Sequence, residues 1–275
     1  MGMSRRSPVP SSAITLLLFS LLFTSASAQA PQAQNGATNS SGPEAHPVLV
    51  EIFTSEGCSS CPPADEMIRK LDEFQPIPGA LLVVLSEHVT YWDQDGWKDP
   101  NSSSALTDRQ AAYESALKEP SSYTPQIIVD GTVQIRINYP QQRMMDIFQK
   151  AAGTPKVPVR IGEVTVASSP TILRARIETD VNSEKYGGDV YLAIALDHVE
   201  SQVLKGENGG KHLIHVAVVQ QLAKVGKLPK GKSFSRDVQL KLAPGADPKN
   251  LRLVAFVQES GPGRVLGSAQ RKPAI

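Results

Sequence analysis

Charge of one sign is nowhere concentrated in this sequence. Against 28 Lys and Arg stand 27 Asp and Glu, a formal net charge of +1, and without a basic stripe to meet a phosphate backbone, nucleic acid is not an expected partner. Cysteine is nearly lacking: the two present, Cys58 and Cys61, lie far from the leading segment, which leaves that segment no cysteine for a lipid anchor. The apolar run within residues 14–23 is too short to span a bilayer comfortably. At 40% hydrophobic and 5% aromatic content the chain is neither collagenous nor wholly disordered, and its 275 residues can bury one or two ordinary cores.

What is present begins with Arg5 and Arg6, then that apolar run, then Ala26-Ser27-Ala28. A basic start, a short apolar stretch and a small-residue cleavage site make a secretory signal over residues 1–28. The cut is expected after Ala28, because a cut after Ala30 would set Pro31 just past the scissile bond. The expected location is secreted or periplasmic, with a membrane touched only through an uncleaved signal. Residues 29–46, mostly Gln, Asn, Gly, Ser, Ala and Pro, cannot offset their ordering entropy and are expected to form a flexible linker.

From Pro47 the pattern turns globular. Residues 48–54 form a continuous β-favouring run of the kind covered on both faces. A helix follows, with Pro62 and Pro63 in its first turn and Met67, Ile68, Leu71 and Phe74 at helical spacing. A second buried strand is expected over residues 80–85, a helix after the capping run Asn101 to Ser104, a hairpin about Asp130-Gly131, and a last helix over 139–152. This β-α-β-α-β-β-α order, wound by the right-handed crossover rule, predicts a thioredoxin-like domain over 47–153. Residues 156–275 show seven short runs, several strictly alternating, split by Gly and Pro turns, which predicts an antiparallel β-sandwich domain. The fold class expected is therefore α/β followed by all-β.

Cys58-Ser59-Ser60-Cys61-Pro62 falls where the first strand ends and the first helix starts. Helical spacing puts both sulfurs on one face, and the unpaired N–H groups and positive dipole end of the helix favour a thiolate at Cys58. Cys58, nearer solvent, is the expected attacking nucleophile and Cys61 the resolving thiol. Three other readings stay open. A structural staple would gain little, roughly 2 kcal/mol, from closing so short a loop. Zinc would need two further ligands, and no second Cys-x-x-Cys exists. Copper(I) would suit two thiolates with His88. Glu56, Asp65 and Glu66 suit the helix dipole but oppose thiolate formation, so only a modest fall in the Cys58 pKa is expected.

Other candidates surround the pair in sequence. Pro125, entering the third strand after Thr124, is expected to be cis and to align a partner backbone against the cysteines. Glu51 interrupts an apolar strand seven positions before Cys58 and would accept the proton of the resolving thiol through water. The loop from His88 to Trp97 starts at the carboxyl edge of the second strand, where Tyr91, Trp92 and Trp97 would form a peptide-binding wall and His88 a proton or metal donor. Gly206 to Gly210 is expected to be a long hairpin turn, and His198, His212 and His215 fall in strand runs with no metal-ligand spacing.

Residues 50–65 resemble the opening of a bacterial family of secreted thioredoxin-like proteins, the domain of unknown function 1223. His88 to Asp93, Gly96 to Pro100, Arg109-Gln110, Tyr123 to Gln126, Val129 to Gly131, Gly206 to Gly210, Val257 to Glu259 and Gly263 to Gly267 are similar to its later blocks. The resemblance implies the same fold over nearly the whole mature chain and imports no activity. The functional expectation is a thiol–disulfide exchange protein that meets protein thiols and disulfides in the cell envelope. No cofactor is expected beyond the Cys58–Cys61 pair. The alternative is a non-catalytic envelope binding module, or a copper-handling protein using Cys58, Cys61 and His88.

Overall fold

The structure, a computed structural model, describes residues 45–168, 171–180 and 186–274. The expected signal over 1–28 and the expected linker up to residue 44 lie outside them. Among the described residues no helix is long and apolar enough to cross a membrane.

Seven elements follow one another as the apolar patterns dictate: β1 (His46–Thr54), α1 (Pro62–Phe74), β2 (Ala80–His88), α2 (Ser104–Leu117), β3 (Gln126–Val129), β4 (Val133–Ile135) and α3 (Gln141–Ala152). β1 and β2 run parallel, joined through α1, and β3 pairs antiparallel on the other side of β1. Because side chains alternate along a strand, β1 serves two cores. Val48, Val50 and Ile52 pack with Ile68 and Leu71 of α1 and Phe148 of α3. Leu49 joins Val83, Leu85 and Leu106, and Phe53 packs on Tyr113 of α2.

The remaining strands are β5 (Val159–Ile161), β6 (Thr165–Ser168), β7 (Thr171–Thr179), β8 (Gly188–Gln202), β9 (His212–Leu228), β10 (Phe234–Lys241), β11 (Leu251–Gln258) and β12 (Val265–Arg271). They do not keep to themselves. Four of them extend the first sheet, giving eight strands in the order β12-β11-β8-β9-β2-β1-β3-β4, while β10-β7-β5, with β6 also on β7, make a smaller second sheet. The join is the parallel bridge between Ser86 of β2 and Val218 of β9. The result is a mixed α/β molecule with one large, mostly antiparallel sheet and few helices. Leu173, Ala175 and Ile177 of β7 pack against Val190, Leu192 and Leu253 of the large sheet, while Arg174 and Arg176 face solvent.

Length explains the shared sheet. β8 has 15 residues and β9 has 17, far more than one core needs. Val225 and Leu228 of β9 enter the core between the two sheets, whereas Ala217 at its other end packs in the core under α1. The sequence boundary at 153–156 is therefore crossed by a continuous sheet, and the described residues all belong to one unit, Gly42–Ile275.

Candidate functional site

β1 ends at Thr54, and residues 55–60 turn the chain into α1. Cys61 is the N-cap, already in helical conformation at φ −76° and ψ −39°, and Pro62 and Pro63 sit where a missing N–H leaves no hydrogen bond unmade. Cys58 and Cys61 are joined in a disulfide with their Cα atoms 5.5 Å apart. Ser59 and Ser60 are exposed, but both cysteines are fully buried. Cys58 is thus no more open to solvent than Cys61, unlike the expected arrangement.

Three segments close over the turn. The peptide between Thr124 and Pro125 is cis, and the Thr124 carbonyl lies 3.8 Å from Cys58 Sγ and accepts from the Ser60 hydroxyl at 3.3 Å. The Trp92 indole N–H donates to the Thr124 hydroxyl at 2.8 Å, and a Cβ on Gly57 would come within 3.0 Å of Trp92 Cβ, so this loop sits hard on the turn. From the far side comes the 206–210 loop between β8 and β9. Its buried Asn208 donates to the carbonyls of Glu56 and Cys58 at 2.9 and 2.8 Å, and Glu207 accepts the Ser59 N–H at 3.1 Å.

Beneath the turn, between the sheet and the start of α1, lies a buried polar cluster. His88 ends β2 rather than opening the loop, and its Nδ1 is 2.7 Å from Asp99 Oδ2. Asp99 also accepts the Glu56 N–H at 2.8 Å, and Glu56 accepts from the Trp97 indole at 2.8 Å. The His88 ring stands edge-on to that of His215, with centroids 4.8 Å apart. His215 places Nδ1 3.7 Å from Asp65 Oδ2 and Nε2 4.0 Å from Glu56 Oε1. Asp65 is tied by its other oxygen, which accepts from Thr54 at 2.8 Å.

Burial and charge set the ionisation of this cluster. Burial opposes charge on His88, but Asp99, Asp65 and Glu56 outweigh it and the ring is more basic than usual. Burial likewise pushes Asp99 up, yet His88 and the N–H donors of Glu56 and Asn101 bring it below the ordinary range. Asp65 is raised from 3.8 to about 7 by burial, with Asp99 and Glu56 adding to it against His88 and Thr54. His215 is lowered from 6.5 to about 3 by burial and by the charge of His88.

Glu51 is elsewhere. It points from the opposite face of β1, where its carboxylate accepts from Arg109 at 2.5 and 2.7 Å and from the Tyr113 hydroxyl at 2.6 Å. Fully engaged there, it is not placed to take a proton from Cys61, and Asp65 is the carboxyl on the cysteines' side. Glu87 shares Arg109, at 3.5 Å. Burial and the charge of Glu51 hold its pKa well above the carboxylate range. Arg109 also lies 5.3 and 5.6 Å from the ring centres of Phe256 and Tyr191, so this cluster fastens α2 to strands of the second half.

The family described as a protein of unknown function, DUF1223, matches residues 49–258. The chain belongs to that family. No curated protein matches it. A protein from Agrobacterium tumefaciens is similar in structure at a TM-score of 0.64 and 27% identity, covering 85% of this chain and 99% of its own. HBP35 of Porphyromonas gingivalis shares the fold at a TM-score of 0.61 and 18% identity, over 84% of this chain and 76% of its own.

In this DUF1223 chain the sequence-predicted residues divide. Cys58, Cys61, Thr124, Pro125 and Trp92 meet at the turn, while His88 and Trp97 belong to the layer under it. Tyr91 and Trp92 lie side by side with ring centres 6.2 Å apart and both pack against the core of Phe53 and Tyr113, while Trp97 is bonded to Glu56. His215, Asp99 and Asn208 were not candidates. His215 stood in a strand run like any other, and its only signal was a histidine in such a run, whereas Asp99 and Asn208, the latter in a glycine-rich turn, fall in blocks similar to the family. Among the described residues no group of three or more His, Cys, Asp or Glu is arranged to hold a metal ion.

Proposed function

We propose that this chain is a thioredoxin-like thiol–disulfide exchange protein acting on protein thiols and disulfides of the cell envelope. The observation that carries this is the Cys58–Cys61 disulfide at the N-terminus of α1, faced by the Thr124 carbonyl. A four-residue disulfide at a helix start pins no distant segments, so its use as a staple is small. Its position at the positive end of the α1 dipole favours a thiolate once it is reduced.

In the reduced chain, with the 206–210 loop lifted from the turn, the Cys58 thiolate attacks a target disulfide. A bond forms between Cys58 Sγ and one target sulfur, and the other target sulfur leaves as a thiolate. Cys61 then attacks Cys58 Sγ, the intramolecular disulfide forms, and the second target sulfur departs. Two electrons pass from the cysteine pair to the target, and the same steps run backward with an oxidised chain and a target dithiol. The edge of Thr124 beside Cys58 is where a partner backbone would lie.

The test uses the mature chain. Cys61→Ser is expected to hold a target through Cys58 as a mixed disulfide that dithiothreitol releases, and the reduced wild type to reduce insulin disulfides. Replacing Cys58 by Ser should abolish both. Retention of both by the Cys58→Ser chains, or no trapping by Cys61→Ser together with no insulin reduction by the wild type, would falsify the exchange reading.

A further inference from the structure

Four buried polar atoms under the turn make no hydrogen bond with the protein: Asp65 Oδ2, His88 Nε2, and both ring nitrogens of His215. Orphaned polar atoms are costly in an interior, and several together in one place call for a chemical use. Their position supplies one. Asp65 lies four residues after Cys61, its N–H bonded to the Cys61 carbonyl at 3.1 Å, so the two side chains are neighbours one turn apart on the buried face of α1. On the other side Asp65 faces His215. A cleft of about 190 Å³ runs between Pro62, Asp65 and Glu66 of α1 and His212 and His215 of β9, and connects this pair with the surface.

We propose that Asp65, backed by His215, is the proton acceptor and donor for Cys61 in the exchange reaction, and that the cleft beside Pro62 is the proton's way to solvent. This rests on the exchange reading above. When the mixed disulfide resolves, the Cys61 Sγ–H bond breaks and its proton goes to Asp65 Oδ2. The Cys61 sulfur keeps the electron pair, attacks Cys58 Sγ, and the target sulfur leaves with the electrons of the broken bond. Asp65 then gives the proton up to the cleft it lines, and His215, held neutral by burial and by the charge of His88, stands at its free oxygen without taking it. In the reverse direction Asp65 returns a proton to Cys61 as the disulfide opens.

The groups facing Asp65 fit this use. Thr54 from β1 holds one oxygen and fixes the carboxyl, His88 from β2 and Glu56 and Asp99 from the flanking loops set its charge balance, and His215 from β9 stands at the free oxygen. Their joint effect keeps the acid poised near neutral pH, where a group that must both take and give a proton works best. A carboxyl at its ordinary pKa would be a poor match for a thiol.

Dithiobis(nitrobenzoate) separates the steps. Mixed with the reduced protein, it releases one nitrothiobenzoate when Cys58 attacks and a second when Cys61 resolves. With Asp65→Asn, the second phase should slow about 100-fold at neutral pH while the first stays within about twofold. The wild-type second phase should bend near pH 7, and the variant should lose that bend and climb steadily toward the ordinary thiol range. A second phase unchanged by Asp65→Asn overturns the proposal. So does a wild-type profile that bends only near the free-thiol pKa of about 8.5, a readout that stands even if the variant fails to fold. If the wild type gives neither phase, the exchange reading itself falls, and that outcome is distinct from a normal first phase with an indifferent second.

Discussion

Asp65 and His215 titrate in opposite senses, and stability must register both. Asp65 has a folded pKa of about 7 against 3.8, so its contribution is fully present below the lower value and is lost as pH rises through the upper one. His215 has a folded pKa of about 3 against 6.5. Its contribution is present above the upper value and lost as pH falls toward the lower. Between roughly pH 4 and 6.5 each slope is about 1.4 kcal/mol per pH unit, and they oppose. Asp65→Asn should therefore make stability rise with pH relative to wild type across this window, and His215→Gln should make it fall. Urea midpoints at three pH values inside the window decide it: two variants that track the wild-type curve would mean that these groups keep their solution behaviour. The cysteine pair was legible in the sequence because its spacing is local, and Asp65 was visible only as a first-turn acid. Its altered ionisation depends on His88, Asp99 and the fold's burial of α1, which no local pattern carries.

At the level of elements, strands and helices follow the apolar periodicity closely, since burial on one face or both writes itself into a few consecutive residues. β7 shows it, with Leu173, Ala175 and Ile177 inward and Arg174 and Arg176 outward. What a loop touches is not written that way. The 206–210 segment reads as a turn between strands and is one, but Asn208 at its tip reaches 150 residues back to the Cys58 carbonyl. Replacing Asn208 by Ala removes the donor to the buried Glu56 carbonyl and leaves the Cys58 carbonyl only the Cys61 N–H at 3.2 Å, at a cost of about 1–3 kcal/mol. Since ~1.4 kcal/mol multiplies an open population tenfold, the Cys58–Cys61 disulfide should be reduced by dithiothreitol about ten times faster. Glu207→Gln, which weakens an exposed contact to Ser59, should change the rate little. Lower stability without faster reduction would show that the loop braces the fold and does not cover the sulfurs.

Across the whole molecule, the division into an α/β half and a β half follows from pattern, while the shared sheet does not, because one residue pair, Ser86 with Val218, makes the bridge. Behind that single pair the packing is extensive. Leu49, Val83, Leu85 and Leu106 of the first half are in one core with Ala193, Val219, Val254 and Phe256 of the second. Arg109 binds Glu51 and also Gln258 Oε1 at 3.2 Å, and Arg252 of β11 pairs with Asp72 of α1 at 2.6 Å. Neither half could unfold without stripping a core face and several buried charges from the other, which costs more than the few kcal/mol by which a domain is stable. Both tryptophans, Trp92 and Trp97, lie before residue 153, whereas strands β5 to β12 dominate the far-ultraviolet dichroism of the second half. Urea unfolding followed by tryptophan emission and by dichroism should therefore give one superimposable transition. Two separated midpoints, with the emission change alone at one of them, would mean that the halves unfold as independent domains and that the shared core contributes little to their cohesion.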